Sequence, residues 1–169
     1  IVLYSPRATN LRMIMSYYDM TAYLERIGDL LINITGFLRK IAIHNPLFCQ
    51  YKENLLNMLT LTENMTQNAI FAFTCEDAPL ARDTIETDNL VDACFHEIGN
   101  TLPQDCSGQP LDSQQVTDAL SISSMSYNIE RIGDNATNIA EAAIYLMEGK
   151  NIKHTGNHDK DTLAAGSEG

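Results

Sequence analysis

The stretch Glu130-Arg131-Ile132-Gly133-Asp134, followed by Asn138, has a duplicate in the same chain: Glu25-Arg26-Ile27-Gly28-Asp29, followed by Asn33. Glutamate, aspartate and asparagine keep one offset of 105 residues (Glu25 to Glu130, Asp29 to Asp134, Asn33 to Asn138). An acidic pentamer repeated in fixed register marks an internal structural repeat. Around the first copy, apolar residues fall at Met13, Tyr17, Met20, Leu24, Ile27, Leu31, Ile34, Leu38 and Ile41. Their spacing alternates between four and three, which is a heptad seam on a long helix. Ile122, Met125, Ile129, Ile132, Ala136, Ile139, Ala143 and Leu146 repeat it around the second copy. Both pentamers therefore sit on long amphipathic helices in the same rotational phase.

At about 100° per residue, Glu25, Asp29 and Asn33 fall within an arc of roughly 80°, and so do Glu130, Asp134 and Asn138. That arc points roughly opposite the seam. The expectation is a bundle core on one side of each helix and an outward row of oxygen donors on the other. The plain reading of such a row is a solvated acidic face. Two features argue for a cation instead. Acidic side chains at i and i+4 repel by a few tenths of a kcal/mol, roughly, unless a cation intervenes. Gly28 and Gly133, each in a helix centre, cost about 1 kcal/mol relative to alanine, so something is expected to approach the helix there. An oxygen-liganded metal fits both features.

The remainder of the chain reads as more helix. The opening helix runs from Ser5-Pro6, an N-cap and N1 pair, to about His44, where Asn45-Pro46 ends it. A second helix, about 46 to 75, carries Phe48, Tyr51, Leu55, Met58, Thr62, Met65, Ala69 and Ala72 on a seam. A third, about 77 to 100, turns Leu80, Thr84, Thr87, Val91, Cys94 and Ile98 inward. Asp88 and Asp92 stand at i, i+4 off that seam, and His96 extends their row. A loop with Pro103, Gly108 and Pro110 follows. Asp112 and Gln115 then form a capping-box variant that opens the last helix, which ends near Glu148-Gly149. Residues 150–169 are polar and aperiodic and are expected to be a disordered tail. The fold class is all-α, an elongated antiparallel helical bundle whose last helix is on the order of 55 Å long.

Composition bounds the function. The chain has 169 residues, 44% hydrophobic and 20% charged, with a net charge of −11. That length suits a single core. The acidic balance argues against a nucleic-acid partner, which needs a basic surface, and suits cation binding. No apolar run reaches the length of a membrane span, and Arg7, Arg12 and Asp19 interrupt any leader-like core. A cytoplasmic location is the expectation. Cys49, Cys75, Cys94 and Cys106 lack Cys-x-x-Cys spacing and read as reduced thiols.

The doubled Glu-Arg-Ile-Gly-Asp-x-x-x-Asn resembles the PhoU family of phosphate-signalling proteins. Ser5-Pro6-Arg7-Ala8-Thr9-Asn10-Leu11-Arg12 is similar to the family's Pro-x-Ala-x-Asp-Leu-Arg segment, with Asn10 in place of the usual aspartate. The resemblance runs from about Leu3 to Gly149. It implies a PhoU-like bundle over 1–149, with 1–44 the last helix of one three-helix repeat and 46–149 a complete second repeat. It also implies that Asp88 and Asp92 face Glu130 and Asp134, with Asn138 beside them, and together hold metal. The equivalent set Glu25, Asp29 and Asn33 lacks a facing acidic pair in this chain.

The metals implied are iron, zinc, manganese or magnesium. The partners implied are the ATPase of a phosphate ABC transporter and a membrane sensor histidine kinase, with repression of the phosphate-starvation response and a homodimeric state. Two alternatives stand beside this reading. One is the cytoplasmic PhoU-like portion of a sodium–phosphate cotransporter. The other is a metal-dependent enzyme in a helical bundle. Against the enzyme, the chain has no Glu-x-x-His pair, and no Ser/His/Asp or Cys/His spacing points to a nucleophile, so no catalytic residue is assigned.

Overall fold

The computed structural model describes residues 8–42, 44–108 and 110–148. They form four helices: α1 (Ala8–Leu38), α2 (Pro46–Cys75), α3 (Ala78–Asp105) and α4 (Ser113–Glu148). The Ser5-Pro6 start, the Gly149 cap and the tail at 150–169 lie outside the described residues. α1 stops at Leu38, several residues before the expected end. α3 outruns its expected end, passing through Pro103 to Asp105. Pro103 sits in the last turn, where a missing N–H forfeits a single helical bond.

Local chemistry sets the helix starts. Asn45 caps α2, its side-chain oxygen accepting from the Leu47 amide at 2.9 Å, and Pro46 supplies a helical φ without needing a partner. Asp77 caps α3 by accepting from the Leu80 amide at 3.0 Å. Between these helices Glu76 takes φ 56, a left-handed cap conformation unusual for a residue with a side chain, and its amide bonds back to Ala72. At α4 the capping box closes in both directions. The Gln115 amide donates to Asp112 Oδ1 at 2.8 Å, and the Asp112 amide donates to Gln115 Oε1 at 2.9 Å.

α4 is the central element. α1, α2 and α3 all pack against it, and α2 also packs on α3, whereas the backbone of α1 comes close to α4 alone. Every residue of the α2 seam read from the sequence is buried. The α4 seam is buried from Ile122 to Ala143 and half-buried at Leu146, and Ser121, Ser126, Asn128, Gly133, Asn135, Ala140, Ala142 and Ile144 are buried as well. With three neighbours, α4 keeps a narrow outward strip at Leu120, Ser123, Tyr127, Arg131 and Asp134, narrower than the seam alone implies. On α1 the seam is only partly covered: Ile27, Ile34 and Ile41 are buried, while Met13, Tyr17, Leu31 and Leu38 are exposed. Apolar hollows of about 460 and 290 Å³ lie between α1 and α2, floored by Ile132 in the first and by Met125 and Ile129 in the second.

Asp118 joins segments more than 70 residues apart in the chain. This fully buried carboxylate accepts from the Ala42 amide (3.1 Å), the Asn45 side chain (2.5 Å) and the Gln114 side chain (2.9 Å). It thus pins the α1–α2 connection to the start of α4. At the same end of the bundle the Tyr51 hydroxyl donates to Asp105 (2.5 Å) and lies 3.0 Å from Thr101 Oγ1. Burial and the Asp105 bond push the Tyr51 phenol up to about 12.

Candidate metal centre

Because α3 and α4 run antiparallel, two acidic i, i+4 pairs meet along their seam. Asp88 and Asp92 come from α3, Glu130 and Asp134 from α4, and each pair influences the other's ionisation. Glu130 is pushed up to about 7, first by burial and then by Asp134, Asp92 and Asp88, against an easing effect of Arg131. Asp88 is pushed up to about 6, again by burial first, then by Asp92 and Asp134, with Glu141 adding to the effect and the Thr137 hydroxyl opposing it. Asp134 is raised by burial and Asp92. Removing a carboxylate from water and crowding it with like charge both disfavour the ionised form.

The glycine of the pentamer has its explanation here. A Cβ built on Gly133 would lie 3.0 Å from Asp88 Oδ1, 3.5 Å from Thr62 Cγ2 and 3.6 Å from Val91 Cγ1. What approaches α4 so closely is the α3 aspartate itself. At Gly28, in the duplicate pentamer, nothing lies within 4 Å.

The donor set fits a multivalent cation on three observations. It consists of carboxylate oxygens, which suit hard cations. Glu130 Oε2 is buried with no hydrogen-bond partner among the described residues, a costly state for an acceptor. Gly133 keeps open the space beside Asp88 that a side chain would fill. As placed, no three His, Cys, Asp or Glu side chains among the described residues are gathered closely enough to hold one ion. A shared ion therefore requires these side chains to rotate toward it. Asn138 is half-buried on the same row, its amide nitrogen donating to the Asp134 carbonyl at 2.7 Å. Its side-chain oxygen is the part left to face a cation.

The other expected residues stand differently. Glu25, Asp29 and Asn33 are exposed on α1, a helix whose backbone does not approach α3. His96 is exposed, its Nδ1 2.7 Å from the Asp92 carbonyl oxygen and its ring edge-on to Phe95. The sequence reading passed over Glu141, a half-buried carboxylate seven residues beyond Asp134. Seven residues are nearly two full helical turns, so its place on the same face was there to be read. Arg131 hydrogen-bonds the Tyr127 hydroxyl at 3.1 Å and lies 5.7 Å from that ring's centroid, at the rim of the acidic seam.

Comparison with known proteins fits this architecture. Residues 55–143, which include α3 and most of α4, match the family model described as PhoU domain. The chain belongs to the PhoU family. A PhoU homolog of Aquifex aeolicus, named a phosphate-specific transport system accessory protein, is 36% identical over 91% of this chain and 67% of its own length. The Escherichia coli K12 accessory protein PhoU is 30% identical over 96% of this chain and 66% of its own length. The crystal structure of the phosphate transport system regulatory protein PhoU from Streptococcus pneumoniae superposes with a TM-score of 0.78 at 21% identity. That superposition covers 89% of this chain and 69% of the other, and it shows a shared fold. The chain thus spans about two thirds of the length of these relatives. No described helix is long and apolar enough to cross a membrane.

Proposed function

We propose that this chain is a metal-binding, non-enzymatic regulator of phosphate uptake, an accessory protein of a phosphate-specific transport system. The observation that carries the metal assignment is the meeting of two acidic pairs across α3 and α4, with Gly133 leaving room for Asp88. Kinship with accessory proteins of phosphate-specific transport supports the role. Asp88, Asp92, Glu130 and Asp134 would hold the ion, with the Asn138 side-chain oxygen beside them. A bound di- or trivalent cation supplies charge neutralisation and, through open coordination positions, attraction for a partner's carboxylate or a phosphate oxygen.

The chain's own contribution is positional. α3 and α4 are fixed by a continuous core, so the acidic pairs are presented on a stiff surface. Arg131 and Tyr127 at its rim offer a cationic and aromatic edge to whatever docks. The partners on this reading are the transporter's ATPase and a membrane sensor histidine kinase, between which the protein acts as an adaptor in the cytoplasm to repress the phosphate-starvation response.

Elemental analysis of the purified protein tests the metal. Iron, zinc, manganese or magnesium is expected in the wild type and is lost in the Glu130→Ala/Asp134→Ala double variant. Metal content unchanged by that double change would remove the site. A screen with phosphoester substrates and added metal tests the non-enzymatic reading; turnover abolished by the same double change would overturn it.

A further inference from the structure

Where the end of α1 meets the start of α4 there is a hollow of about 350 Å³. Phe37 and Lys40 line it from one side, and Thr117, Leu120, Ser121 and Ser124 from the other. That is the small end of the range for sites that enclose small molecules, roughly 300–1,000 Å³. Ser121 precedes Glu130 by nine residues, about 14 Å along the helix, so the hollow is separate from the acidic seam.

Its polar lining offers donors. Helical serines and threonines ordinarily spend their hydroxyl hydrogen on a carbonyl one turn back. Thr117 does so on Ser113 at 2.8 Å, and Ser126 on Ser123 at 2.9 Å. Ser121 and Ser124 lie between these two and make no side-chain hydrogen bond among the described residues. Ser121 is only 3% exposed, and an unspent hydroxyl so enclosed is costly until an acceptor from outside the chain takes it up. The Lys40 ammonium lies 5.2 Å from the Phe37 ring centroid and has no carboxylate partner among the described residues. Its backbone is held in place, because the Gln114 side chain donates to the Lys40 carbonyl at 3.1 Å. None of the lining residues is acidic. Asp118, next to Thr117 in the chain, already has its oxygens engaged by the Ala42 amide and the Asn45 and Gln114 side chains. In a chain of net charge −11, one cation and two free hydroxyls gathered without an acid favour an oxyanion.

We infer that this hollow binds a small phosphate monoester, its phosphate oxygens accepting from Lys40, Ser121 and Ser124 and its organic part lying against Phe37 and Leu120. Three donor groups suit the three terminal oxygens of a phosphate, each a strong acceptor, better than the two of a carboxylate. Inorganic phosphate shares that chemistry, but Phe37 and Leu120 favour a carrier with carbon surface to cover. The ligand spans α1 and α4, so binding also stabilises the docked state of α1. Nothing in this rests on the metal reading of the α3–α4 seam.

Calorimetric titration of the full chain with adenosine monophosphate, potassium phosphate and adenosine tests the inference. The monophosphate is expected to bind one to one, at least tenfold more tightly than phosphate, and adenosine not to bind. Lys40→Gln and Ser121→Ala/Ser124→Ala should each weaken it at least tenfold, with an unchanged helical circular dichroism spectrum. Arg39→Gln, which removes an exposed cation beside the hollow, should stay within twofold of wild type. Adding the monophosphate should slow hydrogen exchange along α1 in wild type but not in Lys40→Gln. If the serine variant fails to fold, Lys40→Gln, at an exposed position, still decides the matter. A chain that binds neither phosphate nor the monophosphate overturns the site, as does binding that survives Lys40→Gln or falls equally with Arg39→Gln. Adenosine binding as tightly as its monophosphate overturns recognition of the phosphate. Phosphate binding as tightly as the monoester overturns the role of Phe37 and Leu120 alone. Binding that persists in Glu130→Ala/Asp134→Ala supports this location, and binding lost there overturns it in favour of the seam.

Discussion

Replacing the glycine of each pentamer by alanine should have different consequences at the two sites, although the local sequence is the same. Both positions are mid-helix, and alanine gains about 1 kcal/mol there from helix propensity and lower unfolded-state entropy. At Gly28 nothing lies within 4 Å of the added Cβ, so Gly28→Ala keeps that gain. For a chain of this size it raises the melting temperature by about 2–4 °C. At Gly133 the new methyl meets Asp88 Oδ1 at 3.0 Å, with Thr62 and Val91 closing the other sides. Overpacking of this kind costs about 1–3 kcal/mol, which cancels the gain or exceeds it.

The expected difference between the two variants is therefore on the order of 1–3 kcal/mol, read from urea unfolding followed by circular dichroism at low protein concentration. Asp88→Ala made together with Gly133→Ala should recover part of the loss, giving a measurable coupling between the two positions. If both glycine variants shift stability by the same amount in the same direction, Asp88 does not press on α4 and the account of the pentamer fails.

The raised carboxyls set a pH dependence. Glu130, Asp88 and Asp134 bind protons more tightly in the folded chain than in the unfolded one; for Asp88 and Glu130 the resulting contribution to stability is fully present below about pH 4 and is lost as pH rises through about 6 and about 7. Metal-free protein should accordingly have a higher urea midpoint at pH 5 than at pH 8, and Asp88→Asn/Glu130→Gln should flatten the profile; a wild-type midpoint rising with pH would contradict this. Asp118→Ala leaves the Ala42 amide and the Asn45 and Gln114 side chains without their acceptor. It should cost about 2–4 kcal/mol, and hydrogen exchange at the Ala42 amide should accelerate. Asp112→Ala opens the capping box of α4 and should cost about 1 kcal/mol, visible as faster exchange confined to the first turn of that helix.

How much of this the sequence carries varies from helix to helix. On α2 every seam residue is buried, with Phe73 the one buried addition, because α3 and α4 cover one side and solvent takes the other. α1 carries an equally clean seam, yet Leu31 and Leu38 are exposed, since periodicity records which face is apolar and not whether a neighbour arrives to cover it. For α4 the difficulty is the reverse. The seam does not include Ser121, Ser126, Asn128, Asn135, Ala140 or Ala142, yet all are buried, because small side chains are what let three helices close around one. The facing of Asp88 and Asp92 toward Glu130 and Asp134 came from the family resemblance. Periodicity alone placed both pairs on outward sides. Asp118 had no local signal at all, because its partner Asn45 lies 73 residues away.

α1 is held chiefly by one helix some hundred residues distant in the chain, while α2, α3 and α4 share contacts among themselves. Closing that long loop is entropically late business in folding, and undoing it disturbs the remaining three helices least. Native-state exchange should find the amides of α1 opening as a unit well below the global unfolding free energy. The segment that detaches first is thus the one bearing the first acidic pentamer, so the two copies of one sequence motif live on parts of the molecule with unequal lifetimes.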